Sequence, residues 1–424
     1  MGLKNSKAGM IPEEWDVQNF SDTFRILNNN TFSRAELNYA SGPFKNIHYG
    51  DVLILFPEVL DCTRDDVPFI NEEARISGSA QTLQDGDIVM ADTAEDETVG
   101  KVTEVMNTSR KPVMAGLHTI ACRVKSGEFV PKWLGYYMNS HLYHDQLLPY
   151  IHGTKVSSVS KGSLGDTAII VPSPKEQERI VEALFDIDNL ITDLSRLIRK
   201  KKDIRQGTLQ LLVTGKQRLN GFDDEWITQP LEKLCELITD GSHESPAECM
   251  DGFYMPSVKD MTDNGFDFTD CKRISKYDYE RLLANGCKPE IGDVLIAKDG
   301  SMLKYVFPVK ENSNIVILSS IAILRPKKNI LNSSYLTYYF RQPRFVEHVI
   351  NSNQTGTGVP RIVLKSFKKI ELHIPRDSKE QKAIADILAD MDVEIWSLEK
   401  KVKKAAAVKQ GMMEELLTGK VRLV

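Results

Sequence analysis

The chain contains 424 residues, 54 of them Lys or Arg and 59 Asp or Glu, which gives a formal net charge of −5. At roughly 100–200 residues per domain this length predicts two to four domains, and 41% hydrophobic with 27% charged residues excludes wholesale disorder. No apolar run approaches the roughly 20 residues that span a bilayer, and the first 15 residues lack the apolar core of a secretory signal. The six cysteines form no Cys-x-x-Cys pair, so we expect free thiols in a reducing cytoplasm, with neither a disulfide framework nor a zinc site.

Two long segments of the chain mix strand-like and helix-like patterns, which predicts an α+β fold. In residues 1–172 the predicted strands are GDVLILF (50–56), DGDIVMAD (85–92) and DTAIIV (166–171), and the predicted helix is LGYYMNSHLYHDQLL (134–148). In residues 220–375 the predicted strands are FYMPSV (253–258), GDVLIAK (292–298), NIVILSSIAIL (314–324) and KIELHI (369–374), and the predicted helix is SSYLTYYFRQPRFVEHVI (333–350).

Between and after these segments the sequence repeats itself. Residues 176–219 and 380–423 align without a gap at an offset of 204, and 17 of the 44 positions are identical. The repeat extends weakly upstream, because Glu14-Trp15 matches Glu225-Trp226 and two Gly-Asp strand patterns match Gly292-Asp293. The order is therefore variable domain, helix, variable domain, helix.

Each repeated segment predicts one long helix with a single apolar stripe. In the second copy the apolar residues alternate in steps of four and three, which is the 3.5-residue period of a coiled coil: Ile384, Leu388, Met391, Ile395, Leu398, Val402 and Ala405. Such a helix of about 40 residues would be about 60 Å long and needs a partner for its stripe. We expect the two copies to pack antiparallel within one chain, and homodimerisation through one helix at a time is the alternative.

Two tandem copies joined in this way would be related by a pseudo-twofold axis. Each variable domain would then present an equivalent face with reversed polarity. Duplex DNA is the prime candidate for a ligand with the same symmetry, because two-fold proteins read half-sites about 34 Å apart.

The chain resembles the DNA-specificity subunits (S subunits, HsdS) of type I restriction-modification enzymes. The resemblance rests on the two Glu-Gln-x-x-Ile helix starts at 176 and 380, the helix ends LLVTGKQRL (211–219) and LLTGKVRL (416–423), and the opening IPEEW (11–15). Asp240-Gly-Ser-His243 and the Gly-Thr pairs at 153–154 and 356–357 add to it. The first half departs from the second, since it has no Asp-Gly-Ser-His segment.

The resemblance implies two target recognition domains, residues 1–172 and 220–375, and two spacer helices, residues 173–219 and 376–424, forming an antiparallel coiled coil. Each domain would read one half of a split, asymmetric site in double-stranded DNA. The helices would set the spacer and dock two methyltransferase (modification) subunits, with two restriction/translocase subunits joining in some complexes. The chain itself would hold no cofactor, and S-adenosylmethionine, ATP and Mg²⁺ would belong to the partner subunits.

Two alternative functions predict different sequence features. A self-sufficient methyltransferase or nuclease would need chemistry of its own, but the sequence lacks an Asn-Pro-Pro-[Tyr/Phe] motif and a glycine-rich nucleotide loop. A structural coiled-coil adaptor would keep the helices without base reading. We therefore expect no catalytic residue and no metal site.

The candidate DNA contacts are polar or basic residues in loops that follow strands or in the Gly-Thr segments, because such side chains read base edges or position phosphates. In the first domain they are Thr98, Lys101, Arg110, Lys111, Thr154, Lys155, Ser157 and Lys161. In the second they are Ser242, His243, Lys259, Lys298, Ser301, Lys304, Thr357 and Arg361.

Overall fold

A computed structural model describes residues 2–64, 66–125, 129–153, 156–355 and 360–424. The chain divides into two compact units. Unit 1 contains residues 1–194 and 401–424, and unit 2 contains residues 195–400. The division falls inside both long helices, so unit 1 combines two separate stretches of sequence, whereas unit 2 is one continuous stretch.

Unit 1 is built on a five-stranded sheet, whose strands stand in the order Phe24–Ile26, Thr119–Val124, Ile88–Ala91, Val102–Met106 and Val59–Asp61. Only the last two strands of this order are parallel. A second sheet has the order Val113–Ala115, Lys45–Ile47, Phe69–Ile70 and Leu37–Asn38. Three antiparallel pairs complete the unit: Leu3–Ser6 with Gly9–Pro12, Asp16–Asn19 with Ala168–Val171, and Thr93–Ala94 with Ser157–Ser158. Its short helices are Phe20–Thr23, Tyr49–Ile54, Trp133–Tyr137 and His141–His144.

Unit 2 is built on an antiparallel four-stranded sheet in the order Cys235–Asp240, Ile321–Pro326, Val294–Ala297 and Val306–Pro308. Three antiparallel pairs accompany it: Trp226–Pro230 with Glu371–Pro375, Phe253–Tyr254 with Arg273–Ile274, and Gln354–Thr355 with Arg361–Ile362. Its shorter helices are Leu231–Leu234, Lys276–Ala284, Ser333–Tyr339, Pro343–Asn353 and Leu364–Lys369.

The same buried ion pair supports the central sheet of each unit. Asp87 precedes the central strand of unit 1, is 1% exposed, and accepts two hydrogen bonds of 2.7 and 2.6 Å from Arg123 on the neighbouring strand. Asp293 is fully buried and accepts bonds of 2.8 and 3.0 Å from Arg325 in unit 2. A buried carboxylate needs such a partner, so this pair identifies Gly86-Asp87 as the structural match of Gly292-Asp293.

The other Gly-Asp pattern was predicted to be a strand, and this prediction was wrong. Residues Tyr49–Ile54 form a helix, because the His48 side chain accepts a hydrogen bond from Gly50 N and caps the first turn. Asp51 lies on the buried face of this helix and binds Arg34 with contacts of 2.6 and 3.0 Å, while Ile54 is 81% exposed.

Both predicted tyrosine-rich helices are interrupted. In residues 134–148 the Asn139 amide donates to Gly135 O and Val102 O, which ends one helix before the next begins at His141. In residues 333–350 the break comes at Pro343, which starts the second helix since proline is tolerated only in the first turn. Of the predicted strand 314–324, only the part from Ile321 onward pairs in the sheet.

The two long helices are Pro174–Val213 and Ser378–Leu416. In unit 2 Lys201 pairs with Glu394 at 2.7 Å, whereas Arg218 beyond the helix end pairs with Glu380 at 2.7 Å. Partner numbers fall as residue numbers rise, so the helices pack antiparallel there. In unit 1 Lys409 pairs with Asp188 and Arg422 with Glu176, in the same antiparallel sense. The finer coiled-coil geometry stays a prediction.

Each long helix is followed within three residues by a glycine whose backbone conformation disfavours a side chain. Gly215 and Gly419 have φ of +69° and +72°, the left-handed region that stops a helix. A Cβ on Gly419 would lie 3.1 Å from the Trp15 ring and 2.4 Å from Pro12 Cγ, and one on Gly215 would lie 3.1 Å from the Trp226 ring. The Thr-Gly-Lys motif therefore lets the helix end close against a tryptophan.

Gly419→Ala should destabilise the protein by about 1–2 kcal/mol, because a left-handed conformation costs that much for an alanine and Pro12 must also move. Gly411→Ala is the matched control, since Gly411 is helical with open space around it, and should stabilise by about 0.5–1 kcal/mol. Urea unfolding midpoints of the two variants would measure both effects. Equal midpoints would contradict this account of the motif.

Candidate nucleic-acid interface

In unit 2 several loops meet at one end of the central sheet. Lys298, which follows the strand Val294–Ala297, donates its backbone N–H to Ser320 O and accepts a backbone bond from Ile362 N. Gly300 N donates to Pro360 O. Ser242 forms an isolated parallel β-bridge with Leu318, which precedes the strand Ile321–Pro326. We call this region the unit 2 strand-end surface; its exposed or half-buried side chains are His243, Lys259, Ser301, Lys304 and Arg361.

An ion-pair network lies beneath this surface. The Lys298 ammonium is 7% exposed and lies 3.1 Å from Asp299 Oδ1 and 3.4 Å from Asp240 Oδ2. The other oxygen of Asp240 lies 3.3 Å from Nε2 of His243, whose side chain is 76% exposed. Asp240 thus holds a buried lysine with one oxygen and presents a histidine with the other.

Two of the predicted contact residues, Lys298 and Ser242, lie beneath the unit 2 strand-end surface and do not form part of it. The charge of Lys298 is neutralised inside the unit. Ser242 is 5% exposed, and its hydroxyl donates to Glu244 O at 2.8 Å in a tight turn. A Cβ on Gly241 would lie 2.0 Å from Ile317 O, so the turn requires a glycine there. The structure does not present Lys298 or Ser242 to a ligand.

In unit 1 the corresponding sheet end carries different side chains. Asp92 follows the central strand and donates its backbone N–H to His118 O, while Thr93–Ala94 pairs with Ser157–Ser158. The His118 ring is 49% exposed, lies 3.5 Å from Asp92 Oδ1 and packs edge-on against Tyr49 at a centroid distance of 5.3 Å. We call His118, Thr93, Tyr49 and Ser157 the unit 1 strand-end surface.

Of the other predicted residues of the first domain, Lys101, Arg110 and Lys111 do not belong to this surface. Lys101 points inward, donates to Leu53 O at 3.0 Å and has its pKa lowered by burial, so it is unsuited to a phosphate contact. Arg110 and Lys111 follow Met106, whose strand runs antiparallel to the central strand, and therefore lie toward the other end of the sheet. The Thr98 hydroxyl is bonded to Asp96, and Lys161 is exposed. Thr154, Lys155 and Thr357 lie outside the described residues.

Sequence reasoning missed Thr93, His118 and Tyr49. Thr93 directly follows a predicted strand and met the rule used for the other candidates. His118 has a φ of +51°, which nothing in its sequence neighbourhood indicates. Tyr49 directly precedes residues 50–56, which were wrongly predicted to form a strand.

The histidine, cysteine and acidic side chains of the described residues do not cluster as metal ligands. Among the described residues no group of three or more histidine, cysteine or acidic side chains could hold a metal ion, and no helix could cross a membrane. Five of the six cysteines are buried, and burial raises the pKa of Cys62, Cys122 and Cys235 to about 12, which keeps these thiols protonated and unreactive.

Asp240→Asn should destabilise unit 2 by about 1–3 kcal/mol, because it removes one carboxylate from a buried ammonium. Lys304→Ala is the matched surface control and should change stability by less than about 0.5 kcal/mol. Thermal unfolding of both variants distinguishes the buried role of Asp240 from the exposed position of Lys304. An equal loss of stability in the two variants would refute this distinction.

The chain is similar to curated proteins and to solved structures that carry the same description. A protein named as the type I restriction enzyme MjaX specificity subunit of Methanocaldococcus jannaschii is 23% identical over 99% of this chain and 97% of its own length. The MjaVIII specificity subunit of the same organism is 32% identical over 30% of this chain and 28% of its own length.

The crystal structure of the type I restriction-modification S subunit from M. genitalium matches the fold with a TM-score of 0.58 at 12% identity, covering 98% of both chains. A structure from a study of complex assembly in the type I system has a TM-score of 0.55 at 15% identity, covering 97% of this chain and 99% of its own. The family model described as the type I restriction modification DNA specificity domain matches twice, at residues 12–205 and 223–407. Since these two matches cover most of the sequence, the chain belongs to the family of type I restriction-modification DNA specificity subunits.

Proposed function

We propose that this specificity subunit reads a split, asymmetric DNA target, one half with each unit. The observation that carries the proposal is the tandem pair of family domains, each with its own strand-end surface. The two surfaces share a position in the sheet but differ in chemistry. Unit 1 presents His118, Thr93 and Tyr49, while unit 2 presents His243, Lys304 and Arg361. Different side chains would select different bases, which makes the target asymmetric.

The charge of the chain bears on how it would hold DNA. Residues 1–172 carry 15 basic and 22 acidic side chains, and residues 220–375 carry 19 and 21. Phosphate contacts supply most of the affinity of a DNA-binding protein, and neither domain is basic overall. We infer that partner subunits supply much of the phosphate contact, so that this chain mainly chooses the sequence.

The proposed partners are two methyltransferase subunits, which would bind S-adenosylmethionine and modify adenine. Restriction subunits, where they join, would bring ATP and Mg²⁺. The support for a helical docking site comes from the first long helix. Within unit 2 its residues Leu197, Ile204 and Leu211 are 39%, 47% and 41% exposed at heptad spacing, which places them on nearly the same face. The aligned positions of the second helix are Lys401, Val408 and Glu415, so this stripe is specific to the first helix.

The proposal as a whole is tested by producing the chain with its cognate methyltransferase and sequencing methylated DNA. We expect one split motif whose two halves are unrelated in sequence. Methylation by the purified chain alone would instead support an enzyme. A mixture that methylates no split motif would refute the proposal.

The double change Ile204→Gln with Leu211→Gln should weaken association with the methyltransferase subunit by about tenfold or more, since two half-buried apolar contacts would be lost. Lys200→Gln, exposed on the same helix, is the control and should leave association unchanged. Analytical ultracentrifugation would measure the affinity of each variant for the methyltransferase subunit. Equal affinities would show that the stripe of Leu197, Ile204 and Leu211 is not part of the docking surface.

Alanine changes should act on one half-site at a time. Lys304→Ala and Arg361→Ala should relax base preference or lower affinity in one half of the target only, with a cost of about 1–3 kcal/mol for a lost base contact. His118→Ala and Thr93→Ala should affect the other half. Binding to target variants at several salt concentrations separates the two roles, because a lost phosphate contact lowers the salt slope by about one and leaves base preference intact.

A further inference from the structure

A tyrosine–aspartate–cation cluster joins the domain of unit 1 to both long helices. The Tyr136 hydroxyl, on a short domain helix, donates to Asp188 Oδ2 at 2.6 Å. The ammonium of Lys409, on the second long helix, lies 2.7 Å from Asp188 Oδ1 and 2.5 Å from Glu58 of the domain. Burial alone would lower the pKa of Lys409, but the carboxylates of Glu58 and Asp188 outweigh burial and raise it.

Unit 2 contains the same arrangement built from different residues. The Tyr338 hydroxyl donates to Asp392 Oδ2 at 2.8 Å. Arg205, on the first long helix, donates to both oxygens of Asp392 at 2.9 and 3.3 Å. The guanidinium of Arg341, from the domain, lies 3.8 Å from the same carboxylate.

The repeat shows how the two clusters correspond. Asp188 aligns with Asp392 and Arg205 aligns with Lys409, each at the offset of 204. Every cluster therefore combines a domain tyrosine, the aspartate of the long helix that follows that domain, and a cation from the other copy of the helix. In both, the cation also lies over the tyrosine ring, at 5.6 Å for Lys409 and 5.7 Å for Arg205.

These clusters add directional contacts to those at the helix starts, where Gln177 and Gln381 accept hydrogen bonds from domain backbone. Leu184 and Met413 pack with the core of unit 1, and Leu209 and Leu388 pack with the core of unit 2. Apolar contacts are non-directional, so they do not by themselves fix the rotation of a domain on its helix pair. Charge-assisted hydrogen bonds have defined geometry and are stronger than neutral ones.

We propose that the two clusters, which we call the domain–helix clamps, are positioning elements that set how each domain is oriented on its helix pair. Through that orientation they set the gap between half-sites that the subunit accepts. The inference rests on the proposed function, because a gap exists only in a split target. The clamp residues do not touch DNA in this account and act through the domain they orient.

The experiment uses the full chain in complex with its methyltransferase and a set of DNA duplexes with fixed half-sites and a gap varied by one base pair, about 3.4 Å of rise. Tyr338→Phe removes one hydroxyl from the clamp with little change of shape, and Asp392→Asn removes the charge that Arg205 and Tyr338 share. Arg205→Lys keeps the positive charge. Lys202→Ala breaks an exposed pair with Glu399 between the same helices and is the matched control.

We expect Tyr338→Phe and Asp392→Asn to raise methylation of the off-length gaps, relative to the preferred gap, by about tenfold, as for loss of one charge-assisted hydrogen bond. Base preference inside each half-site should stay as in the wild type. Arg205→Lys should retain most of the gap selectivity, and Lys202→Ala all of it. The corresponding unit 1 variant, Tyr136→Phe, should behave like Tyr338→Phe.

The possible outcomes separate the clamp from the proposed function. A wild-type complex without gap dependence overturns both. Gap dependence in the wild type that Tyr338→Phe leaves unchanged overturns the clamp alone, and so does a change in base preference within a half-site. Thermal unfolding of Tyr338→Phe serves as the check on folding, because a general loss of stability would lower methylation at all gaps and leave their ratio unchanged.

Discussion

The arrangement of the chain depends on a buried ion pair between the two copies of the repeat. Glu176 begins the first long helix, is 2% exposed, and is bound by Arg422 just beyond the end of the second helix. Glu380 begins the second helix, is fully buried, and is bound by Arg218 beyond the end of the first. An unpaired buried carboxylate is costly, and each glutamate is paired with an arginine from the other half of the sequence. This pairing, together with the packing of Met413, Leu416 and Leu417 in the core, joins residues 401–424 to unit 1.

Several positions that recur between the halves have equivalent internal partners. Asp87 and Asp293, Glu176 and Glu380, and the glycines of the two Thr-Gly-Lys motifs all form equivalent contacts. The strand-end surfaces show no such recurrence, since His118 and His243 come from different loops. A scaffold held by buried pairs leaves these loops free to vary without loss of the fold. That separation suits a subunit whose role is to distinguish one DNA sequence from another.

The sequence predicted the structure best where a pattern of residues recurs along the chain. It predicted least well whether an individual side chain points into the protein or toward solvent. The long helices followed from their apolar period, and Ile88–Ala91 and Val294–Ala297 from their Gly-Asp starts. The Tyr49–Ile54 helix was missed because a strand-like pattern is overridden by the capping His48 and by the pairing of Asp51 with Arg34, which lies 17 residues away in the sequence. Within the candidate site, Lys101 and Lys298 satisfy the same sequence rule as Lys304, yet both ammonium groups are bonded inside their units. Loop position cannot tell a buried lysine from an exposed one.

That inward use of cations also limits how the chain can meet DNA. Arg123, Arg325, Arg218 and Arg422 all have buried acidic partners, so they are not available to phosphates. Beneath the unit 2 strand-end surface, the two carboxylates of Asp240 and Asp299 face the single ammonium of Lys298, and their surplus negative charge weakens the local positive potential. Under the proposed function, binding through such a surface would gain little from counterion release, and its free energy would come mainly from contacts with base edges. Affinity and sequence choice would then be carried by different subunits, and a variable domain could change its target without changing how tightly the assembled complex holds DNA in general.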